Sequence, residues 1–458
     1  MSHEPPISLW PDPRALGPVT DLYELTMMVG YLASGMAGKL ATFELFVRKM
    51  PANRAYLVFA GLEQAIGDLL RLAFSPEQIA AIRGWPAFRH VPREAMDALA
   101  AMRFEGDVWA IPEGTVVFPG ETLLRVTAPL AQAQWVETYL VASLAYPTLV
   151  ASKAARIVSV AGGRSLQEFG ARRGHGPHTG FLAARAAYIA GFDGTSQAEA
   201  ARLLGIPASG TMAHSWVQAF PNEDSAFAAF AQTFGGAATL LVDTYDTLEG
   251  VRRAAAIEPP IPAIRIDSGD LDDLTRRARA ILEENHRSGV KIMVSGDLDE
   301  HRIAALVEAG APVDGFGVGT ELITSRDAPA LGMVYKLVEL DGQGKYKLSP
   351  AKRTYPMAKQ VFRQRDASGR FAGDHVTRAD EIADGEPLLV PIVRGGKLVE
   401  PLPRLEAIRA RCREQLAALP ARLRPLDARP DYPITYSDRL EADASRLMSP
   451  RERDQAGN

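Results

Sequence analysis

A single cysteine, Cys412, stands among 458 residues. That excludes an intrachain disulfide and any cysteine-rich zinc site, and it fits a reducing, cytoplasmic setting. An excess of one charge is also missing: 51 Lys and Arg face 55 Asp and Glu, for a net charge of −4. Nucleic acid would want a basic face, so no such partner is expected. Long apolar runs are absent. The most membrane-like window, Thr138 to Ser152, is uncharged but short, holds Tyr146-Pro147 and is flanked by Glu137 and Lys153; a buried helix is expected there, and no membrane span. Met1 to Trp10 carries Glu4 and two prolines in place of the basic stretch and apolar run of a secretion signal. Neither a phosphate-loop sequence nor a dinucleotide fingerprint occurs, which leaves a P-loop kinase or an NAD dehydrogenase without support.

What is present suits a soluble globular chain of two to three domains, 47% hydrophobic and 23% charged. Residues 1–145 read as an α+β N-terminal domain. It opens with an amphipathic helix from Asp21 to Leu32 and a strand from Ala41 to Val47, and it ends in short β-rich runs broken by Pro112-Glu-Gly and Pro119-Gly turns. Residues 146–340 alternate between helix and strand, with strands expected near 164–169, 188–192, 208–213, 239–243, 262–267, 291–294, 313–318 and 333–340. Such alternation implies parallel strands and right-handed crossovers. Eight strands would close a barrel; an open doubly wound sheet is the competing topology. Residues 341–458 form a C-terminal region packing on the other two domains. It has hairpin-like turns, a helix with Leu405, Ile408, Cys412, Leu416 and Leu419 on one face, and a polar end from Glu441 to Asn458 expected to fray.

Polar residues gather where the expected strands end. Gly210-Thr211-Met212-Ala213-His214 places one histidine there. Other ends read Glu168-Phe169-Gly170-Ala171-Arg172-Arg173, Asp243-Thr244-Tyr245-Asp246, Arg265-Ile266-Asp267-Ser268, Ser295-Gly296-Asp297 and Gly317-Val318-Gly319-Thr320. In a βα barrel all βα loops open on that face, so one histidine among converging guanidinium and carboxylate groups suggests an enzyme for a phosphorylated substrate. His214 has no His or Cys partner at metal-ligand spacing, which leaves nucleophile or general base as its roles. Asp246-x-x-Glu249 and Asp297-x-x-Glu300 fit helix-capping boxes. Asp243 and Asp267 end strands before any helix begins, and carboxylates so placed can hold Mg²⁺ that is itself bound to substrate phosphates. Arg265, between Ile264 and Ile266, must meet Asp267 or Asp243 or bind an anion. Arg172 and Arg173 precede the turn-like Gly174-His-Gly-Pro and are placed at the rim. Gly317 and Gly319 would let backbone N–H groups approach a phosphate, with the next helix N-terminus adding positive potential.

Together these residues resemble the nicotinate phosphoribosyltransferase family over about residues 18–365. The carriers are Thr20-Asp21-Leu22-Tyr23-Glu24-Leu25-Thr26-Met27, Phe43-Glu44-Leu45-Phe46-Val47-Arg48-Lys49, Tyr56-Leu57-Val58-Phe59-Ala60-Gly61-Leu62-Glu63 and the strand-end motifs. The resemblance implies an α/β fold: an irregular TIM-like βα barrel with an α+β N-terminal domain and a C-terminal extension, working as a homodimer with shared active sites. It implies transfer of a phosphoribosyl group from phosphoribosyl pyrophosphate to nicotinate, with ATP hydrolysis coupled through a phosphohistidine at His214 and with Mg²⁺ on the pyrophosphate. Catalysis would draw on His214, Asp243 and Asp267, with Asp267 also a candidate Mg²⁺ ligand. Tyr23 of the neighbouring subunit and Phe169 would sandwich the pyridine ring; Arg265, Arg172 and Thr211 would surround the nicotinate; Arg48, Gly296, Asp297, Gly319 and Thr320 would bind phosphoribosyl groups. Tyr355-Pro356-Met357 departs from the family's Pro-Gly turn. Two alternatives stand beside this reading: a nicotinamide phosphoribosyltransferase, whose relatives carry Asp where this chain has Gly194-Thr195-Ser196, and a non-catalytic nucleotide-binding homologue.

Overall fold

A computed structural model describes residues 9–347 and 354–447; the stretch from Met448 to Asn458 lies outside them. The N-terminal core is a seven-stranded sheet. Its order is Gln343–Gly344, Met333–Leu340, Leu40–Val47, Thr122–Pro129, Asp107–Ala110, Val390–Arg394 and Lys397–Leu398. Neighbouring strands pair antiparallel. Phe43, Leu45, Val108, Leu124 and Val126 point into one core together with Leu25 and Met28 of the first helix, Leu22–Ala33.

Six parallel strands form the second unit, in the order Gly194–Thr195, Ser165–Glu168, Gly315–Val318, Lys291–Val294, Ala263–Ile266 and Thr239–Leu241. Ala208 adds one parallel bridge to Thr195 at the open edge. The result is a curled half-barrel, and the count of eight strands does not hold. Residues 188–192 are the end of helix Pro177–Ala190 and its stop at Gly191, where φ is 126°. Short apolar runs read alike whether they end a helix or make a strand. Residues 333–340 leave the barrel altogether and pair antiparallel with Leu40–Val47.

Helix starts follow local side-chain chemistry. Asn222, Asp246, Asp270 and Asp299 each accept from the backbone N–H three residues on. Asp246 therefore caps as its sequence implies. Asp297 does not; Asp299 takes that position, and Glu300 turns inward. The Thr138–Ser152 window lies within helix Glu137–Val160, where Leu144, Leu149 and Val150 are buried. No helix of the described residues is long and apolar enough to cross a membrane. The C-terminal helix Leu405–Ala417 buries Leu405, Ile408 and Cys412 as its spacing implies. Glu441 to Leu447, expected to fray, completes helix Asp438–Leu447.

Candidate active site

Parallel pairing brings all the strand ends to one face. The N–H of Ser295 donates to the Ile266 carbonyl, that of Phe169 to Val318, and that of Ser196 to Glu168. Each first residue past a strand thus stands beside the next one.

Arg265 is the hub. Its Nε donates to Ser295 Oγ at 2.7 Å, Nη1 to Thr211 Oγ1 at 3.0 Å and Nη2 to Asp267 Oδ1 at 2.7 Å. Its guanidinium carbon lies 5.5 Å from the centre of the Phe169 ring. Of the two pairings the sequence left open, Asp267 is the one formed. The Ser295 hydroxyl also donates to Asp267 Oδ1, closing a three-membered ring of contacts. Burial alone would raise the Asp267 carboxyl. The Ser295 hydroxyl, the Arg265 charge and the nearby His214 more than offset that, and hold it below the usual carboxylate range.

Asp243 is buried. One carboxylate oxygen accepts from the Asp267 N–H at 2.9 Å and the Ser268 hydroxyl at 2.8 Å, while Oδ1 has no partner among the described residues. His214 opens the short helix His214–Gln218, and its Nδ1 lies 3.2 Å from Thr244 Oγ1. The side-chain partner of the imidazole is thus a hydroxyl and not a carboxylate. Thr244, Ser268 and Ser295 stood within the strand-end motifs but carried no assigned role. Hydroxyls are frequent and give no signal until the residue they bridge is known.

Gly296 has φ +96°, and a Cβ there would lie 2.0 Å from the Asp267 carbonyl oxygen. Asp297 follows in the left-handed region at φ +48°, its carbonyl accepting from Arg302 at 3.0 Å. At Gly317 a Cβ would meet the Phe169 ring at 2.4 Å, so that glycine makes room for the aromatic. Gly319 and Thr320 begin a helix of one turn, Thr320–Ile323, too short for the macrodipole expected of it. Beside them Glu168, buried at its strand end, accepts from the Gly170 N–H and the Thr195 hydroxyl, each at 2.6 Å. Burial pushes its carboxyl up.

Arg172, Arg48 and Tyr23 form no hydrogen bond or ion pair to this cluster among the described residues. Arg172 is exposed on the turn Ala171–Arg173. Arg48 follows the first strand, its backbone N–H bonded to Gly332. Tyr23 is 45% exposed on the first helix, beside Glu24 and Glu137. No group of three or more His, Cys, Asp or Glu among the described residues is arranged to hold a metal.

Three family models match along the chain: the nicotinate phosphoribosyltransferase N-terminal domain at residues 19–145, the nicotinate phosphoribosyltransferase family at 164–360 and the C-terminal domain at 382–443. The sequence is similar to a nicotinate phosphoribosyltransferase of Mycobacterium tuberculosis, 46% identical over 436 residues and covering 93% of each chain. It is 32% identical to the Homo sapiens nicotinate phosphoribosyltransferase over 520 residues, covering 94% of this chain and 96% of that one. The crystal structure of human nicotinic acid phosphoribosyltransferase superposes with a TM-score of 0.84 at 29% identity, covering 94% of this chain and 100% of that one.

Proposed function

This chain belongs to the nicotinate phosphoribosyltransferase family, and from that premise we propose that its half-barrel mouth joins nicotinate to phosphoribosyl pyrophosphate in NAD biosynthesis. The products are nicotinate mononucleotide and pyrophosphate, with ATP hydrolysis coupled through His214. The observation that carries this reading is the Arg265 guanidinium, fixed by Thr211, Ser295 and Asp267 over the face of Phe169. A planar cation beside an aromatic ring suits a flat aromatic acid.

The nicotinate carboxylate meets Arg265, Thr211 and Arg172, and its ring lies along Phe169. Tyr23, a large aromatic left 45% exposed on its own chain, covers the other ring face from the partner subunit of a homodimer. Arg48, Gly296, Asp297, Gly319 and Thr320 hold phosphoribosyl groups, the glycines through their backbone N–H. Asp267 and the buried, unpartnered oxygen of Asp243 fit Mg²⁺, which asks only one or two carboxylates besides its phosphates. When bound, Mg²⁺ supplies positive charge to the departing pyrophosphate. At the ribose C1 the bond to pyrophosphate breaks and the bond to the nicotinate nitrogen forms through a cationic state. Positioning by these residues supplies most of the acceleration. His214, with Nδ1 on Thr244, presents Nε2 to ATP; the N–P bond forms as the bond to ADP breaks, and later hydrolysis releases phosphate. The Arg265 charge favours the acid over the amide, and the Gly194-Thr195-Ser196 stretch lacks the carboxylate of amide-using relatives. The use of ATP and phosphoribosyl pyrophosphate, both abundant in cytoplasm, supports a cytoplasmic location.

The test is ATP-dependent formation of nicotinate mononucleotide, compared with nicotinamide, together with mass-spectrometric detection of phosphate on His214. His214→Ala should abolish ATPase activity. Full ATPase activity in that variant rejects the phosphohistidine, and equal kcat/KM for acid and amide rejects the specificity. Mixing inactive Tyr23→Ala and His214→Ala chains should restore activity through one intact site per heterodimer. Heterodimers that remain inactive rule out the shared site.

A further inference from the structure

A cavity of about 760 Å³ lies between the half-barrel and the C-terminal helix Leu405–Ala417. Its walls come from helix Glu137–Val160, from Ile189 to Gly191 at the end of helix Pro177–Ala190, and from Leu416, Leu419 and Leu426. A helix that returns after its strand ends where the next strand begins, so this cavity stands on the side opposite the barrel mouth. None of its lining residues belongs to the site described above.

The lining is chemically uneven. Ala155, Val158, Ile189, Leu416 and Leu419 make it apolar. Tyr56 lines it too, 7% exposed, and its hydroxyl makes no hydrogen bond to any described residue. With no protein partner, that hydroxyl keeps its proton free for an acceptor atom within the cavity. The neighbouring Ser159 already spends its proton on the Arg156 carbonyl at 2.7 Å. Three guanidinium groups line the cavity against one carboxylate, Glu406. Arg409 is occupied by the carbonyls of Tyr188, Gly191 and Phe192. Arg424 binds those of Leu419 and Ala417. Arg413 is exposed and forms no ion pair or hydrogen bond among the described residues.

We infer that this cavity is a second ligand site, for a small amphipathic organic anion. The apolar body packs between the helices, an acceptor atom takes the Tyr56 proton, and the anionic end meets Arg413 at the mouth. The volume falls in the range of small-molecule pockets, and an apolar lining with few placed polar groups is their usual form. The inference goes beyond the catalytic reading and needs no catalytic residue.

The probe is 8-anilinonaphthalene-1-sulfonate, an apolar anion that fluoresces when taken out of water. It is titrated into the full chain with nicotinate mononucleotide present at saturation. One equivalent per chain should bind. Ala410→Trp, which fills the cavity from the C-terminal helix, should abolish binding. Arg413→Glu should weaken it tenfold or more, Tyr56→Phe should weaken it less, and Arg265→Ala at the barrel mouth should leave it unchanged. The neutral analogue N-phenyl-1-naphthylamine should bind more weakly than the sulfonate. If Ala410→Trp does not fold, the exposed Arg413→Glu gives the same reading. Absent binding, binding that survives both wall variants, or equal binding of the neutral analogue overturns the inference. Loss with Arg265→Ala alone would place the probe at the barrel mouth and overturn it as well.

Discussion

At the barrel mouth Arg265 and Asp267 are 16% and 28% exposed, held by the hydroxyls of Ser295 and Thr211. In the packing around helix Glu137–Val160, Arg54, Lys153, Arg156 and Glu300 are at most 6% exposed, and with Asp327 they form a chain of ion pairs. Lys153 sits between Glu300 at 2.6 Å and Asp327 at 2.9 Å; Arg156 reaches Glu300 at 2.9 Å; Arg54 grips Asp327 with both terminal nitrogens. The residue types are the same, and the outcomes differ. In the buried chain the charges face one another, so the network ties the loop at Arg54 to helix Glu137–Val160 and to the helix Glu300–Glu308. At the mouth one side of each charged group remains open, and hydroxyls rather than further charges hold it in place. Buried pairing stabilises a geometry, and partial pairing leaves a site that can still bind.

The largest effects should separate the two regions. Glu300→Gln leaves Arg156 without its buried counter-ion and Lys153 with Asp327 alone, and should cost about 3–5 kcal/mol of stability, with activity per folded molecule unchanged. Arg265→Ala should do the reverse, lowering kcat/KM for nicotinate by about 2–5 kcal/mol, roughly thirtyfold or more, with a smaller loss in urea midpoint. Urea melts beside kinetics on both variants check this; if Glu300→Gln damages kinetics more than stability, the comparison fails.

Ser295→Ala sharpens it. The hydroxyl bridges a cation and an anion, and such hydrogen bonds are worth about 1.5–3 kcal/mol. The KM for nicotinate should rise roughly ten- to a hundredfold, with kcat less affected, and Ser295→Thr should restore most of it. An unchanged KM would mean that Asp267 alone orients Arg265.

The smallest effect is on pH dependence. Asp267, Glu300 and Asp327 are all held below the usual carboxylate range: burial opposes this in each, and the neighbouring cations and hydroxyls overcome it. The unfolded chain takes up protons first as pH falls, so their stabilisation is full above about pH 4.5 and is lost progressively below it. Asp327→Asn should flatten the fall in urea midpoint between about pH 5 and pH 2.5. An equally steep fall would assign the acid sensitivity elsewhere.

Local patterns in the sequence determined the parallel βα series, the capping residues Asn222 and Asp246, the buried central helix and the placement of Arg265 and Asp267 on one strand end, because alternation, apolar spacing and capping act over a few residues. The strand-end motifs also carried the family likeness. Only the tertiary structure decided that the barrel stays open with six parallel strands, since pairing partners such as Leu40–Val47 and Met333–Leu340 lie almost 300 positions apart. It likewise decided that His214 meets Thr244 rather than a carboxylate, that Ser295 bridges Arg265 and Asp267, and that Lys153, which in sequence merely bounds an apolar run, anchors a buried ionic chain. Long-range contacts depend on where the chain returns, and no periodicity within a segment records that.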